Sequence, residues 1–405
     1  MEKYFNNFHL SFREKLRIIR TYDKGDVSCF FSPTIHNAEI NFSKYIGMPY
    51  GLAVTNCTSA LFLAFKCLNI KNDEHIIIPN FTHPSTAFAA KSANLKFKLC
   101  DCEPNSYNLN LEQLSKLVDS KTRCVVFVHL RGYVQNIKEV LNFCKNHNLI
   151  LIEDVAQGLG IKINNKMAGS FGDISCFSFN DSKTLQLGEG GICLFKNKVH
   201  EEYARKVIHE GEFASSTNLS STISNGSVQD IIYNKFCYIN DGFNFRPFPP
   251  IFSIIDLRIK KLRKLQKKKY CIRNIYEKYI DRDKFKTMQI FDGDFPICFP
   301  VLVNEKNKVE TILSNTYNTG FPIGKMVYPN LNEISAFYNN CLNIKDDFRN
   351  SQNLYEKLVF LPLSKNITPK QAKKLILHLN KVVNLKQNTI NMSSEIKNFD
   401  GLYLW

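Results

Sequence analysis

One lysine, Lys183, lies between two apolar runs that read as buried strands, Ile174-Ser175-Cys176-Phe177-Ser178-Phe179 and Ile192-Cys193-Leu194-Phe195. The second run is preceded by the glycine cluster Gly188-Glu189-Gly190-Gly191. A lysine held between two such elements is positioned from both sides, and its amine can form a Schiff base with an aldehyde. In a chain with 53 Lys+Arg, a lysine with only this context would be a solvated loop residue. A second signal removes it from that background. Upstream, Leu149-Ile150-Leu151-Ile152 ends in Glu153-Asp154 and passes into Val155-Ala156-Gln157-Gly158, as a buried strand running out into a loop does. Open α/β sheets place their ligand contacts at the carboxyl ends of their strands. A carboxylate buried there needs a cationic or hydrogen-bonding partner. A protonated pyridine nitrogen is such a partner, and pyridoxal phosphate carries both that nitrogen and the aldehyde that Lys183 would use.

Two further turns fit this chemistry. Thr55-Asn56-Cys57-Thr58-Ser59-Ala60-Leu61 puts small hydroxyl and amide residues between a strand and a helix. Free backbone amides and the helix dipole then face whatever binds there, which makes an anion site, although a plain helix N-cap has the same composition. The next crossover, Pro79-Asn80-Phe81-Thr82-His83-Pro84-Ser85, offers His83, whose imidazole can stack on an aromatic ring.

The elements that must position these residues repeat as apolar strand, loop and helix. Residues 51–54 precede a helix over 58–68, residues 75–79 a helix over 85–93, and residues 124–129 a helix over 137–147, before the strand at 149–153. Strands alternating with helices of this length specify a mostly parallel sheet covered on both faces. Two amphipathic helical segments, residues 11–19 and 35–45, come first. After Gly191, the polar run 214–226 reads as a surface loop. A basic amphipathic helix over 258–269, a strand-like run over 295–303 and a final helix from Thr368-Pro369 follow. Long linkers and internal repeats are absent from the pattern.

Length and composition set the outer bounds. A chain of 405 residues, 44% hydrophobic and 12% aromatic, can bury a large core and a smaller second one. It has no apolar run of membrane-spanning length, and its first residues lack the layout of a signal peptide, so the expected location is the cytoplasm, away from membranes. The 13 cysteines are mostly scattered in apolar runs without a CxxC pair, which implies reduced thiols and no metal site. The net charge of +16 is concentrated in residues 258–269, read as the solvated face of a helix. It suits a phosphorylated substrate, and no nucleic-acid-binding motif accompanies it.

The set Asp154-Val155-Ala156-Gln157-Gly158, Gly169-Ser170-Phe171-Gly172-Asp173, Phe177-Ser178-Phe179, Lys183 and Gly188-Glu189-Gly190-Gly191 resembles the DegT/StrS family of pyridoxal-phosphate-dependent sugar aminotransferases. The resemblance runs in chain order from about residue 30 to about residue 385. It implies the fold-type-I aminotransferase architecture: an α/β large domain with an N-terminal arm over 1–249, a smaller C-terminal α+β domain over 250–386, and an unassigned tail over 387–405. It implies Lys183 as the catalytic lysine that holds pyridoxal 5'-phosphate. Thr58, Ser59 and Ser178 would hold the cofactor phosphate, His83 would take the position of an aromatic ring on the cofactor, Asp154 would pair with the ring nitrogen, and Gln157 would also bind the cofactor. Asp241-Gly242-Phe243-Asn244-Phe245-Arg246 is similar to a family segment whose asparagine reaches the neighbouring subunit's cofactor phosphate, which makes Asn244 a site residue of a homodimer. The implied reaction moves an amino group, from glutamate, to a keto sugar carried on a nucleotide.

His129, in Val128-His129-Leu130-Arg131-Gly132, is expected to be architectural. Relatives that dehydrate sugars carry histidine in place of the lysine, and a regulator that only kept the fold would have lost Asp154 or Lys183. Departures from the family pattern fall at Asn56, Cys57, His83, Pro247-Phe248-Pro249-Pro250, Arg258, Val327 and Asn332, mostly on the substrate side.

Overall fold

The computed structural model describes residues 8–211, 242–317, 323–326, 328–364 and 366–385. The polar run 214–226, Asp241, Val327 and the tail 387–405 lie outside the described residues.

The N-terminal arm is α1 (Phe12–Asp23) and α2 (Pro33–Ile46). Ser11 and Glu14 close a capping box at the start of α1, satisfying amides that the first turn leaves open. Ser32 caps α2, and Gly47 ends it in the left-handed region at φ 92°. The large sheet follows: β1 (Tyr50–Val54), α3 (Cys57–Cys67), β2 (His75–Pro79), α4 (Pro84–Ser92), β3 (Lys96–Cys100), α5 (Leu111–Leu117), β4 (Thr122–Val128), α6 (Ile137–Asn146) and β5 (Ile150–Asp154). A two-stranded hairpin, β6 (Lys162–Ile163) and β7 (Lys166–Met167), leads to β8 (Ile174–Ser178), β9 (Gly191–Phe195) and α7 (Lys198–Ile208).

The seven strands lie in the order β1-β9-β8-β5-β4-β2-β3. Every neighbouring pair is parallel except β1·β9 and β8·β9, so β9 is the one reversed strand. Residues 179–190 contain no helix that could carry the chain back across a face, and the strand therefore returns beside its predecessor. The central strands are buried on both faces, which is why they read as continuous apolar runs without alternation.

The C-terminal part carries a smaller antiparallel sheet, β10 (Phe285–Thr287), β11 (Cys298–Val303) and β12 (Leu358–Pro362). It is accompanied by α8 (Leu262–Tyr279), α9 (Lys308–Tyr317), α10 (Arg349–Lys357) and α11 (Pro369–Val382), with short helical turns at Pro249–Phe252 and Ile255–Ile259. The pleat divides this sheet between two cores. Phe299, Val301 and Val303 of β11, with Val359 and Leu361 of β12, join Ile272 and Tyr276 of α8 and Leu375, Ile376 and Leu379 of α11. Cys298 and Leu302, with Leu358 and Phe360, point the other way into the core of the large sheet. Each such apolar side chain contributes about 1.5–3 kcal/mol. An aspartate at Val301, which is fully buried, would leave a charge with no partner in the smaller core.

Candidate active site

The strand register assembles the site along one edge of the large sheet. Val54 and Ser178 both pair with Gly191, and Asp154 pairs with Val128 on one side and Cys176 on the other. The ends of β1, β8 and β5 are thus brought level. Gly191 is required at the crossing point: a Cβ there would stand 2.5 Å from the Asn56 carbonyl carbon.

Lys183 sits in the β8–β9 connection. Phe179 N–H donates to Gly190 O at 2.8 Å and Leu187 N–H to Phe179 O at 2.7 Å, which closes the base of the loop. Buried Leu185 and Leu187 anchor it to the core, and Lys183 N–H donates to Asn180 O at 3.0 Å. The lysine is therefore held on a short, pinned loop. Loss of water around its amine lowers the pKa, and the Arg131 charge adds to that, while Asp154 opposes it. The shift favours the neutral, nucleophilic amine.

Asp154 is buried at the end of β5. Its Oδ1 accepts from Ala156 N–H at 3.0 Å and its Oδ2 from the Thr86 hydroxyl at 3.1 Å, and Cys57 Sγ lies 3.9 Å from Oδ1. Among the described residues no cationic side chain forms an ion pair with it. Burial raises its pKa against the pull of these donors and of Lys183. The neighbouring Glu153 points to the opposite face and binds His129 Nε2 at 2.7 Å, so His129 is architectural, as expected.

Asn56 caps α3 and accepts from Ser59 N–H at 2.9 Å and from the Ser59 hydroxyl at 3.1 Å. The N–H groups of Cys57 and Thr58 have no acceptor among the described residues, and Thr58 is exposed. The anion-binding capacity of this turn therefore rests on two amides and the Thr58 hydroxyl, with Ser59 drawn into the cap. Ser178, buried at the end of β8, has its Oγ 3.5 Å from Asn180 N.

His83 caps α4, its Nδ1 accepting from Ser85 N–H at 3.1 Å. This contact puts the ring proton on Nε2. Part of the ring is open to solvent, yet loss of water over the rest of it, with the Lys183 and Arg131 charges, lowers its pKa to about 4. The ring packs edge-on against Tyr328 with centroids 4.6 Å apart. A neutral imidazole is suited to stacking on a pyridine ring.

Gln157 is buried, and its Oε1 accepts from Arg131 N–H at 3.1 Å. Asn244 is exposed and lies beside Phe245, whose carbonyl accepts from Thr55 N–H at 3.0 Å at the start of the phosphate turn.

Arg131 joins the candidate site, and the sequence reading passed over it. It follows β4 at φ 56°, is buried, and lays its guanidinium 4.3 Å from the centre of the Phe360 ring. Its charge is felt by Lys183, His83 and Tyr328. A charged residue inside a turn next to a strand end was the available signal. Arg258, a departure from the family pattern, pins the arm to the lysine loop: it bonds Glu14 at 3.2 Å, His9 O at 3.0 Å and Gln186 O.

The residues fit pyridoxal phosphate on three counts: a buried carboxylate with no protein cation, a lysine whose amine is biased to neutrality, and unpaired amides at a helix N-terminus. The fold and this constellation define a fold-type-I pyridoxal-phosphate enzyme. Within that class the chain belongs to the DegT/DnrJ/EryC1/StrS aminotransferase family, whose profile matches residues 13–380. It is 29% identical over 180 residues to GDP-perosamine synthase of Vibrio cholerae, a match covering 44% of this chain and 49% of that protein. The chain thus spans about half the length of such curated relatives. Spore coat polysaccharide biosynthesis protein SpsC of Bacillus subtilis (strain 168) is 27% identical over 341 residues, covering 82% of this chain and 85% of that protein. Among solved structures, Helicobacter pylori PseC, an aminotransferase of pseudaminic acid biosynthesis, superposes with a TM-score of 0.82 at 18% identity, covering 94% and 98% of the two chains. A GDP-4-keto-6-deoxymannose-3-dehydratase superposes with a TM-score of 0.80 at 20% identity, covering 93% and 99%. These two superpositions establish the fold.

Proposed function

We propose that this protein is an aminotransferase that moves an amino group from an amino acid, glutamate, to a keto sugar carried on a nucleotide, acting as a homodimer in the cytoplasm. The observation that carries this reading is Asp154, a buried carboxylate with no ion-pair partner among the described residues, in the electrostatic reach of Lys183. When bound, pyridoxal phosphate supplies an aldehyde carbon and an electron-withdrawing ring. The protein's part is positional and acid–base. Lys183 Nζ, its pKa lowered by loss of water, would hold the cofactor and, once displaced by the donor amine, would move a proton at the substrate carbon. Asp154 would keep the ring nitrogen protonated, Thr58 and the α3 amides with Ser178 would hold the phosphate, His83 would stack on the ring, and Gln157 would also bind the cofactor. Asn244 completes the phosphate site of the neighbouring subunit.

The names of the relatives support a nucleotide-linked sugar as acceptor. A dehydratase of the same fold stands among the structural neighbours, and Lys183, where the resemblance implies a histidine in sugar dehydratases, favours transamination. No helix among the described residues is long and apolar enough to cross a membrane. The test is to record the visible absorbance of the protein loaded with pyridoxal phosphate, then add glutamate. Conversion to the pyridoxamine spectrum, reversed by a nucleotide-linked keto sugar, is the expected result. An unchanged spectrum with glutamate and with other amino donors would overturn the reading.

A further inference from the structure

A cavity of about 440 Å³ opens beside Lys183, between the arm, the lysine loop, α8 and the C-terminal sheet. Its walls include Lys183 but none of Asp154, Thr58, Ser59, His83 or Ser178, so it lies to one side of the cofactor residues. Among the described residues that line it, four carry a basic side chain, Lys183, Arg258, Lys261 and Lys269, and one carries a carboxylate, Glu14. Glu14 is already committed: it accepts from Ser11, Arg258 and Lys261, and these contacts hold its pKa near 2 although burial pushes the other way.

Lys269 differs from Arg258 and Lys261. It is 7% exposed, has no carboxylate partner among the described residues, and spends one N–H on Pro296 O at 2.9 Å. An ammonium has three donors, so two remain. Burying an ammonium without a counterion is expensive, and buried charges are normally paired. Leu262, Leu265 and Ile297 are among the lining residues, the Phe295 ring centre lies 5.6 Å from Lys269 Nζ, and Pro296 O is the one hydrogen-bond acceptor this ammonium has among the described residues.

We propose that Lys269 is a specificity-determining residue that binds an anionic group, carboxylate or phosphoryl, of the substrate in this cavity. The proposal rests on the aminotransferase reading for the identity of the substrate, and on the cavity alone for the sign of its charge. The loss of water around Lys269 already lowers its pKa to about 8, which leaves it mostly charged at neutral pH and responsive to an arriving anion. Arg258 and Lys261 are both bonded to Glu14 and Lys183 is engaged by the cofactor, so Lys269 is the buried lining cation with no carboxylate of its own among the described residues.

The test uses the protein loaded with pyridoxal phosphate and two probes, pyrophosphate for a phosphoryl group and glutarate for the dicarboxylate of a donor, titrated by calorimetry. Lys269→Met keeps the apolar stem and removes the charge. It is expected to weaken at least one probe by tenfold or more, to leave cofactor absorbance unchanged, and to hold or raise the Tm. The probe that is lost identifies which substrate carries the anion. Leu265→Glu, one turn earlier on the same helix, supplies the missing counterion without removing Lys269, and is expected to weaken the same probe. Unchanged affinity for both probes in both variants, with a Tm several degrees lower in Lys269→Met, would make Lys269 a structural tie to Pro296 and overturn the proposal. Failure of the aminotransferase reading shows elsewhere, as a holoenzyme spectrum that no amino donor alters.

Discussion

Two carboxylates stand next to each other on β5, and the protein treats them in opposite ways. Glu153, fully buried, accepts from the N–H groups of Gly169 at 2.8 Å, Phe171 at 2.8 Å and Gly172 at 2.6 Å, and from His129. Its shell is complete. Asp154, one residue on and facing the other layer, receives one amide, one hydroxyl and the weak Cys57 thiol donor at 3.9 Å. A buried carboxylate whose lone pairs are filled by the protein locks a turn in place, here the Gly169–Gly172 segment that enters β8. One whose shell stops short is waiting for a ligand that carries positive charge. The contrast separates a structural from a functional acid more sharply than burial does.

The largest expected effect comes from removing the amine that answers Asp154. Lys183→Ala should lower turnover by more than about 10³-fold, because no other group can form and later release the imine. Borohydride treatment of the loaded wild type, followed by peptide mapping, should place the cofactor on Lys183; its appearance on another lysine would break the assignment.

The comparison itself is tested by neutralising each acid in turn. Asp154→Asn keeps hydrogen-bonding capacity but cannot hold a protonated ring, so kcat should fall by about 10²- to 10³-fold. The apoprotein of that variant should be as stable as wild type or more so, since a buried, under-satisfied carboxylate has been removed. Glu153→Gln should do the reverse. An amide in that pocket turns an NH2 toward donors, leaving one buried N–H unpaired, and should cost about 1–3 kcal/mol in denaturant unfolding while the residual folded enzyme keeps its cofactor spectrum. Equal stability losses in the two variants would erase the distinction.

Lys269 extends the same logic to a cation. Its folded-state pKa of about 8 lies below the ordinary lysine value of 10.5, so between these values the unfolded chain binds the extra proton. Stability contributed at this site is therefore lowest below pH 8 and recovers as pH rises toward 10.5, by up to about 3 kcal/mol at 1.36 kcal/mol per unit. The stability advantage of Lys269→Met over wild type should shrink across that window. A difference that stays constant with pH would mean that Lys269 is solvated.

The residues carrying the chemistry were legible in the sequence because their signal is local: a strand end and the next loop are contiguous in the chain, as at Glu153-Asp154 and Phe179 to Lys183. The mostly parallel sheet followed from the strand–helix repeat, whereas β3 escaped because Lys96-Phe97-Lys98-Leu99-Cys100 alternates like a half-exposed strand and lacks the continuous apolar run of its neighbours. What the sequence could not display was contact between distant segments. Arg131 becomes part of the site only because its turn is hydrogen-bonded to residues 295–297, with Phe295 N–H donating to Gly132 O at 2.7 Å and Ile297 N–H to Arg131 O at 2.9 Å. Arg258 acquires its role only when Glu14, more than two hundred residues earlier, is folded beside it.

Asn332 belongs to the same class of long-range surprises and yields the smallest effect. Its place in the sequence suggested a residue that meets the sugar. In the fold its Oδ1 accepts from Asn80 Nδ2 at 3.0 Å and its N–H donates to Asn80 Oδ1 at 3.0 Å, while Asn80 Nδ2 also donates to the Ser351 hydroxyl at 2.8 Å. Its Oδ1 and backbone N–H thus hold the loop that leads from β2 to His83. Asn332→His would lose one of these paired bonds, worth about 1 kcal/mol, and loosen the loop under His83 without placing a new group on the sugar. The expected outcome is a KM change of a few-fold, similar for every nucleotide-linked keto sugar tried. A panel of such sugars assayed on wild type and Asn332→His checks it: a reordered preference, with one sugar gaining while another loses, would show that Asn332 meets the substrate directly.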